Sequence, residues 1–257
     1  MNSEEDIITN PVYKSKNNEW DENQLNGSIK SVKTLSYSVN VCEGEIEKLL
    51  LLSSFVKNYN LQGQIVSAYS LYEDGSPVWE YIFNGQPSEL VLNCDCFNSK
   101  KELEERIIYH YDKQGNLTAK ICTDKDGKQL WKIAFFYNEE GFLLMKEFFT
   151  DNNQQIHKYR DFQYDEKGHL LQMYDCPDTH STSEMPDHFF DFKISYKYDE
   201  NGEITERCET SPSGRKNITQ FEYKYDNHGN WIQKKEIALP LNILTGIKER
   251  VIEYYHD

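Results

Sequence analysis

The side chains able to ligate a metal or move protons fall into three groups. Cys94-Asp95-Cys96 puts two thiols two residues apart, on one face if the segment is a strand. Zinc would need two further ligands, and neither a second Cys pair nor a spaced His pair accompanies them. Buried or edge thiols are the plainer reading. The densest group is Cys176, Asp178, His180, Glu184, Asp187 and His188. It offers acid–base or partner-binding chemistry, but Thr179, Ser181 and Pro186 around it also give it the composition of a solvated surface loop. Asp124-Lys125-Asp126-Gly127 resembles a fragment of a calcium loop without its third ligand and terminal Glu. It reads better as a hairpin turn. The sequence has no Ser-centred nucleophile elbow, Walker loop or HExxH helix. We therefore expect a non-enzymatic protein with no cofactor and no metal.

Aromatic rings are the other chemistry available. The 257 residues include 18 Tyr, 13 Phe and 4 Trp, a load that argues against disorder. Rows of rings can bind sugars or peptides, and they can equally ladder across a sheet. Trp79 and Trp131 are the residues whose replacement would test sugar binding.

A recurring phrase shows what must position these groups. Two aromatics at i and i+2 precede Asp or Asn, and Gly follows three residues later, with a large apolar residue two beyond it. The phrase occurs at Tyr109–Leu117, Phe135–Leu143, Phe162–Leu170, Tyr196–Ile204 and Tyr223–Trp231, with a weaker copy at Tyr59–Ile65 and a compressed one at Tyr81–Gly85. Its second aromatic advances through Tyr111, Tyr137, Tyr164, Tyr198 and Tyr225, in steps of 26, 27, 34 and 27 residues. A period of this size marks a repeat architecture.

Each phrase encodes strand, turn and returning strand. The aromatics share a strand face. Asp112, Asn138, Asp165, Asp199 and Asp226 open turns by bonding backbone two residues on. Gly115, Gly141, Gly168, Gly202 and Gly229 supply the positive φ that closes a hairpin through a bulge. A second turn recurs thirteen residues before Tyr111, Tyr137, Tyr164 and Tyr225, at Asn98, Asp124, Asp151 and Pro212. Register with these turns makes Ser99-Lys-Lys-Glu102 a turn entering a strand, although it has the form of a capping box. The 34-residue step implies a longer surface loop between Cys176 and Phe190.

These phrases resemble the YD-repeat family, named for its Tyr-Asp pair, over about residues 55–235. Leu25–Val32 and the segment from Gly229 to Tyr255 are similar to the ends of short YD-repeat proteins of Bacteroidetes. In long relatives, the Rhs and insecticidal-toxin shells, the repeats spiral into a hollow cocoon around a toxin, and this chain is far too short for such a shell. It departs from the family pattern at Asn138 and around Phe83. The expected fold is all-β: a repetitive antiparallel meander forming one curved or partly rolled sheet. Some twelve to fourteen strands would curl it, with atypical caps at about 20–45 and 236–257. Residues 1–20 are expected to be a flexible N-terminus and 21–257 a single domain.

Charge and processing signals bound the function. With 28 Lys+Arg against 43 Asp+Glu, the net charge is −15, which argues against nucleic acid and anionic membranes as partners. Met1–Asp6 lacks a basic n-region and apolar core. The run Leu49–Leu52 is far short of a spanning helix. Six scattered Cys read as reduced thiols. These features suggest a soluble cytoplasmic protein without a membrane partner. Acidic surfaces steer basic partners, and YD-repeat proteins are often linked to polymorphic toxins. The repeat array, the missing catalytic motif and the charge make a protein-binding module the expectation, with Asp178, His180, Glu184, Asp187 and His188 as candidate contacts. The resemblance points to its immunity or antitoxin form, neutralising a partner such as a basic toxin. The alternative is a carbohydrate-binding or cell-surface module.

Overall fold

A computed structural model describes residues 25–42, 45–85, 91–177 and 192–255. The regular structure within them is entirely β. The strands are β1 Ile29–Cys42, β2 Glu45–Tyr59, β3 Ile65–Leu71, β4 Pro77–Asn84, β5 Val91–Asn98, β6 Leu103–Tyr111, β7 Leu117–Asp124 and β8 Gln129–Tyr137. They continue as β9 Leu143–Thr150, β10 Gln155–Tyr164, β11 Leu170–Pro177, β12 Phe192–Tyr198, β13 Ile204–Thr210, β14 Lys216–Tyr225, β15 Trp231–Leu239 and β16 Ile243–Tyr254. Each pairs antiparallel with its neighbours in sequence, and β1 pairs with β16, so the meander closes into a barrel.

The repeated phrases build one rim. Asp112 Oδ1 accepts from the backbone N–H of Gln114 (2.9 Å) and Asn116 (2.8 Å), and Gly115 N–H donates to the Asp112 carbonyl at 3.0 Å. Gly115 stands at φ +86°, a region that costs other residues strain. The same two side-chain bonds recur at Asn138, Asp165, Asp199 and Asp226. Asn138 replaces Asp at no cost to these bonds because the turn needs only an acceptor oxygen. At each turn the register slips once: His110 faces Ala119, then Tyr111 faces Leu117, the bulge that lets the hairpin close.

The second aromatic of a phrase ties neighbouring repeats. Tyr137 Oη donates to the Leu117 carbonyl (2.8 Å), Tyr164 to Leu143 (3.0 Å) and Tyr198 to Leu170 (2.7 Å). Each acceptor is the apolar residue that starts the return strand of the preceding phrase. Such a bond contributes about 1 kcal/mol net.

The opposite rim carries turns at Tyr72–Gly75, Asn98–Lys101, Asp124–Gly127, Thr150–Asn153 and Ser211–Gly214, among others. Asp124 Oδ1 accepts from Asp126 N–H and Lys128 N–H, both at 2.9 Å, so this segment is a hairpin turn. The residues after Asn98 enter β6 as a strand. Also at this rim, β1 and β2 outrun their other neighbours. Residues 39–42 pair only with 45–48, and β2 has no β3 partner before Ser54, so the two strands project as an arm.

Two expectations are corrected. The sheet is closed, not open or partly rolled, and the segments read as end caps are the strands that close it. Val32 faces Ile252 and Thr34 faces Arg250 across the β1–β16 seam. Tyr255 N–H donates to the Ser28 carbonyl at 2.8 Å, and its Oη reaches past β1 to the Tyr59 carbonyl at 2.6 Å. Asn230 is 2% exposed; it accepts from Asn26 N–H (2.6 Å) and donates to the Asn26 carbonyl (2.9 Å) and Tyr254 Oη (2.7 Å). Closure follows from edge chemistry. Two terminal strands of 14 and 12 residues would each leave a row of unpaired backbone groups, and pairing them removes both edges.

Candidate functional site

Alternation along each strand divides the wall into two faces. On one, Trp79, Tyr81 and Phe83 of β4 pair with Asn98, Cys96 and Cys94 of β5, and Cys96, Cys94 and Leu92 pair onward with Glu105, Ile107 and Tyr109 of β6. A single cavity of about 320 Å³ touches this face from β4 to β9, with Trp79, Glu105, Tyr109, Lys120, Trp131 and Phe148 in its wall. Side chains from six consecutive strands meet around one space only on the concave side, so this face is the lumen. Ile156, beside a bulge between Gln155 and His157, also borders the cavity, as do Lys132 and Phe149, a cross-strand pair that alternation places on the other face. The volume lies at the lower end of the range for small-ligand sites.

The cavity combines apolar platforms with a few polar groups. Tyr109 is 1% exposed, and its hydroxyl has no hydrogen-bond partner among the described residues. Burial, then the nearby Cys94, pushes its pKa well up, so the group stays a neutral O–H donor. A buried donor left unmade costs about 1–3 kcal/mol. Glu105 Oε2 accepts from the Cys122 thiol at 3.4 Å. Lys120 Nζ lies 5.7 Å from the Tyr109 ring centre and 6.0 Å from that of Phe135. Lys146, 5% exposed, holds its Nζ 4.6 Å from the Phe148 ring and 5.7 Å from Tyr159. Aromatic faces attract these ammonium groups and fix their positions.

Beside Phe148, His157 Nε2 lies 2.8 Å from Asp175 Oδ1. The His157 ring meets Phe148 and Tyr159 edge-on, at 5.4 and 4.8 Å between centres. Tyr159 faces Asp175 in the register, so this pair also lines the lumen. Its members are on adjoining strands and shared no sequence motif.

The structure sorts the residues singled out by sequence. Asp112, Asn138, Asp165, Asp199, Asp226 and their glycines form the rim and hold turns. Asp178, His180, Glu184, Asp187 and His188 lie outside the described residues, as do residues 1–20. Cys176 is a buried strand residue whose Sγ accepts from Arg160 Nε at 3.2 Å. Cys94 and Cys96 are buried on the luminal face. Burial pushes the Cys94 thiol up, away from the thiolate that metal binding needs. Among the described residues no group of three or more His, Cys, Asp or Glu could hold a metal. Trp79 and Trp131, 52 residues apart, converge on one cavity.

The outward face is charged and zipped by ion pairs across adjacent strands. Arg106 meets Asp95 at 2.6 Å, Lys197 meets Glu206 at 2.8 Å, and Lys101 reaches Glu80. Gln220, Glu222 and Lys224 alternate outward along β14 and are exposed. Such side chains are expensive against hydrocarbon.

No family model matches the chain, and no curated protein matches it. Among solved structures, it resembles a porin-like protein from Bacteroides uniformis ATCC 8492 at 11% identity. That match covers 89% of this chain and 98% of the other with a TM-score of 0.58, which establishes a shared fold. A porin-like protein from Bacteroides vulgatus ATCC 8482 matches at 10% identity over 88% and 98% of the two chains, with a TM-score of 0.37. A TcdB2-TccC3-Cdc42 structure matches at 14% identity over 83% of this chain but 14% of that one, with a TM-score of 0.29. Neither of the latter two carries a structural argument. The cytoplasmic location expected from the sequence is overturned by the first likeness. A closed sixteen-strand barrel is a porin-like architecture, and neither a leader nor a helical span is a property of its strands. That no helix among the described residues is long and apolar enough to cross a membrane is silent on strands. In fold, this chain is similar to a porin-like barrel.

Proposed function

We propose that the protein is a non-enzymatic binding barrel of the cell envelope, standing in water, whose luminal cavity holds a short carbohydrate. The YD-repeat kinship suggested by its phrases is part of this proposal. The observation that carries it is the meeting of Trp79 and Trp131 in one cavity with Glu105 and Lys120. Indole faces pack the C–H faces of a pyranose ring, while the polar groups bond its hydroxyls. The charged outer wall supports a place beside lipid rather than within it. The test is a glycan array followed by calorimetry on Trp79→Ala and Trp131→Ala. Each variant should weaken binding by about tenfold or more, as lost aromatic anchors do. Undiminished binding in both variants would overturn the reading.

A protein partner is the second reading, and the projecting arm favours it. Ile46, Leu49, Leu50 and Leu52 are 44–58% exposed there, an apolar strip of the kind that marks contact sites. A basic toxin neutralised by this acidic chain is the specific form of that reading. Co-purification with a basic protein, abolished by Leu49→Ser and Leu50→Ser together, would support it; recovery of the same protein with the arm so altered would exclude the arm.

A further inference from the structure

The chain carries a net charge of −15, yet its lumen is rich in cations, and their spacing follows the repeat. Five residues after the phrase glycines 27, 63, 115, 141, 168, 202 and 229 stand Val32, Ala68, Lys120, Lys146, Met173, Arg207 and Lys234. All occupy the luminal face: Lys120 faces Tyr109 and Ile133, Lys146 faces Phe135 and Tyr159, Arg207 faces Tyr196, and Lys234 faces Tyr223. Equivalent positions in successive repeats lie at one height above the rim, so four of these seven form a basic belt. Lys57 joins it at the two apolar positions, facing both Val32 and Ala68. Arg250 adds a further cation, 3.5 Å from the Trp231 ring centre. Of the acids on the same face, Glu209 meets Arg207 at 2.5 Å, Glu236 meets Lys248 at 3.7 Å, Asp175 lies 2.8 Å from His157, and Glu105 accepts from the Cys122 thiol at 3.4 Å.

We infer that the lumen selects anionic sugars, with Lys120 in the cavity wall facing the carboxylate of a uronic-acid oligosaccharide and Lys146, buried against Phe148, adding to the positive potential there. This rests on the carbohydrate reading above and adds the charge of the ligand. Lys120 is in the cavity wall, and Lys146 is held against Phe148, which is also in that wall. A charge in a concave, low-dielectric site focuses its field on the ligand. A negative exterior repels anions unless they enter where the belt outweighs it. Neutral sugars would meet the same aromatic platforms without the electrostatic gain.

The test compares trigalacturonate, its methyl ester and maltotriose by calorimetry on the whole chain. Trigalacturonate should bind about tenfold tighter than its uncharged ester, the scale of one charge-assisted contact. Lys120→Met and Lys146→Met should remove that preference, Lys146→Arg should retain it, and the outward Lys224→Met should leave it unchanged. Equal affinity for acid and ester in the unmodified protein overturns the inference without needing any variant. If maltotriose binds and trigalacturonate does not, the carbohydrate reading stands and the anionic one falls. If none of the three binds, both fall.

Discussion

The two rims of the barrel are made by the same kind of hairpin and do different work. At the phrase rim, a carboxylate or amide oxygen caps each turn, a glycine reverses the chain, and tyrosine hydroxyls bond one repeat to the next. At the opposite rim the turns open on Tyr72, Asn98, Asp124, Thr150 or Ser211, and the arm of β1 and β2 projects beyond the wall. Inter-repeat bonds tie the first rim together from Leu117 to Tyr254 and across the seam to Tyr59. The second lacks the repeated tyrosine bond and is tied between turns by other means, as where Gln129 Nε2 donates to the Thr150 carbonyl and Asn153 Oδ1. Stability is thus concentrated at one end, and the variation that recognition needs is allowed at the other.

If that division is right, the largest loss should come from the seam of the phrase rim. Asn230→Ala removes bonds to Asn26 and Tyr254 from a buried site, and denaturant unfolding should show a loss of about 3 kcal/mol. Gly202→Ala, at φ +85° with the His169 ring 3.1 Å from a built Cβ, should cost about 1–2 kcal/mol. Tyr164→Phe deletes only the hydroxyl bond to Leu143, and about 1 kcal/mol should be lost. At the far rim, Leu49→Ser with Leu50→Ser should change stability by no more than about 0.5 kcal/mol. A loss there as large as at Asn230 would erase the distinction between the rims.

Titration sharpens the same contrast. Burial, followed by the hydrogen bond to Asp226, pushes the Tyr254 pKa up to about 12 from 10. A folded-state pKa above the unfolded one contributes stability that is complete below pH 10 and lost as pH rises through about 12. Asp226 shifts the other way. Burial opposes its charge, but the bonds from Tyr254, Asn230 and His228 outweigh that and hold it below 3.8. Its contribution is present above pH 3.8 and disappears as pH falls through the depressed value. Tyr254→Phe should shrink the alkaline loss of stability, read as melting temperature against pH, without abolishing it, because burial also raises the pKa of Tyr225 and Tyr109.

Much of the wall was legible because its signals are local. Asp112, Gly115 and Leu117 state a turn and a face within six residues, and Asn98 and Asp124 fix the alternate turns. The lumen was less legible. His157 and Asp175 meet through strand pairing, and Trp79 and Trp131 converge through curvature, neither of which spacing reveals. The basic belt did leave a trace, a Lys or Arg five residues after several phrase glycines, but its meaning depends on which face is concave. Cys176 shows the converse: beside His180 and Asp178 in sequence, it is a buried strand residue tied to Arg160.

Sequence alone determined the antiparallel meander, its period and the chemistry of its turns, because hydrogen bonds spanning two to four residues decide each hairpin. Only the tertiary structure decided that the meander closes. The pairing of Ile29–Ser38 with Gly246–Tyr254 depends on twist accumulated over the whole wall, and so does the inside or outside placement of every ring and charge. The aromatics and lysines are written locally; closure is what turns them toward a shared cavity.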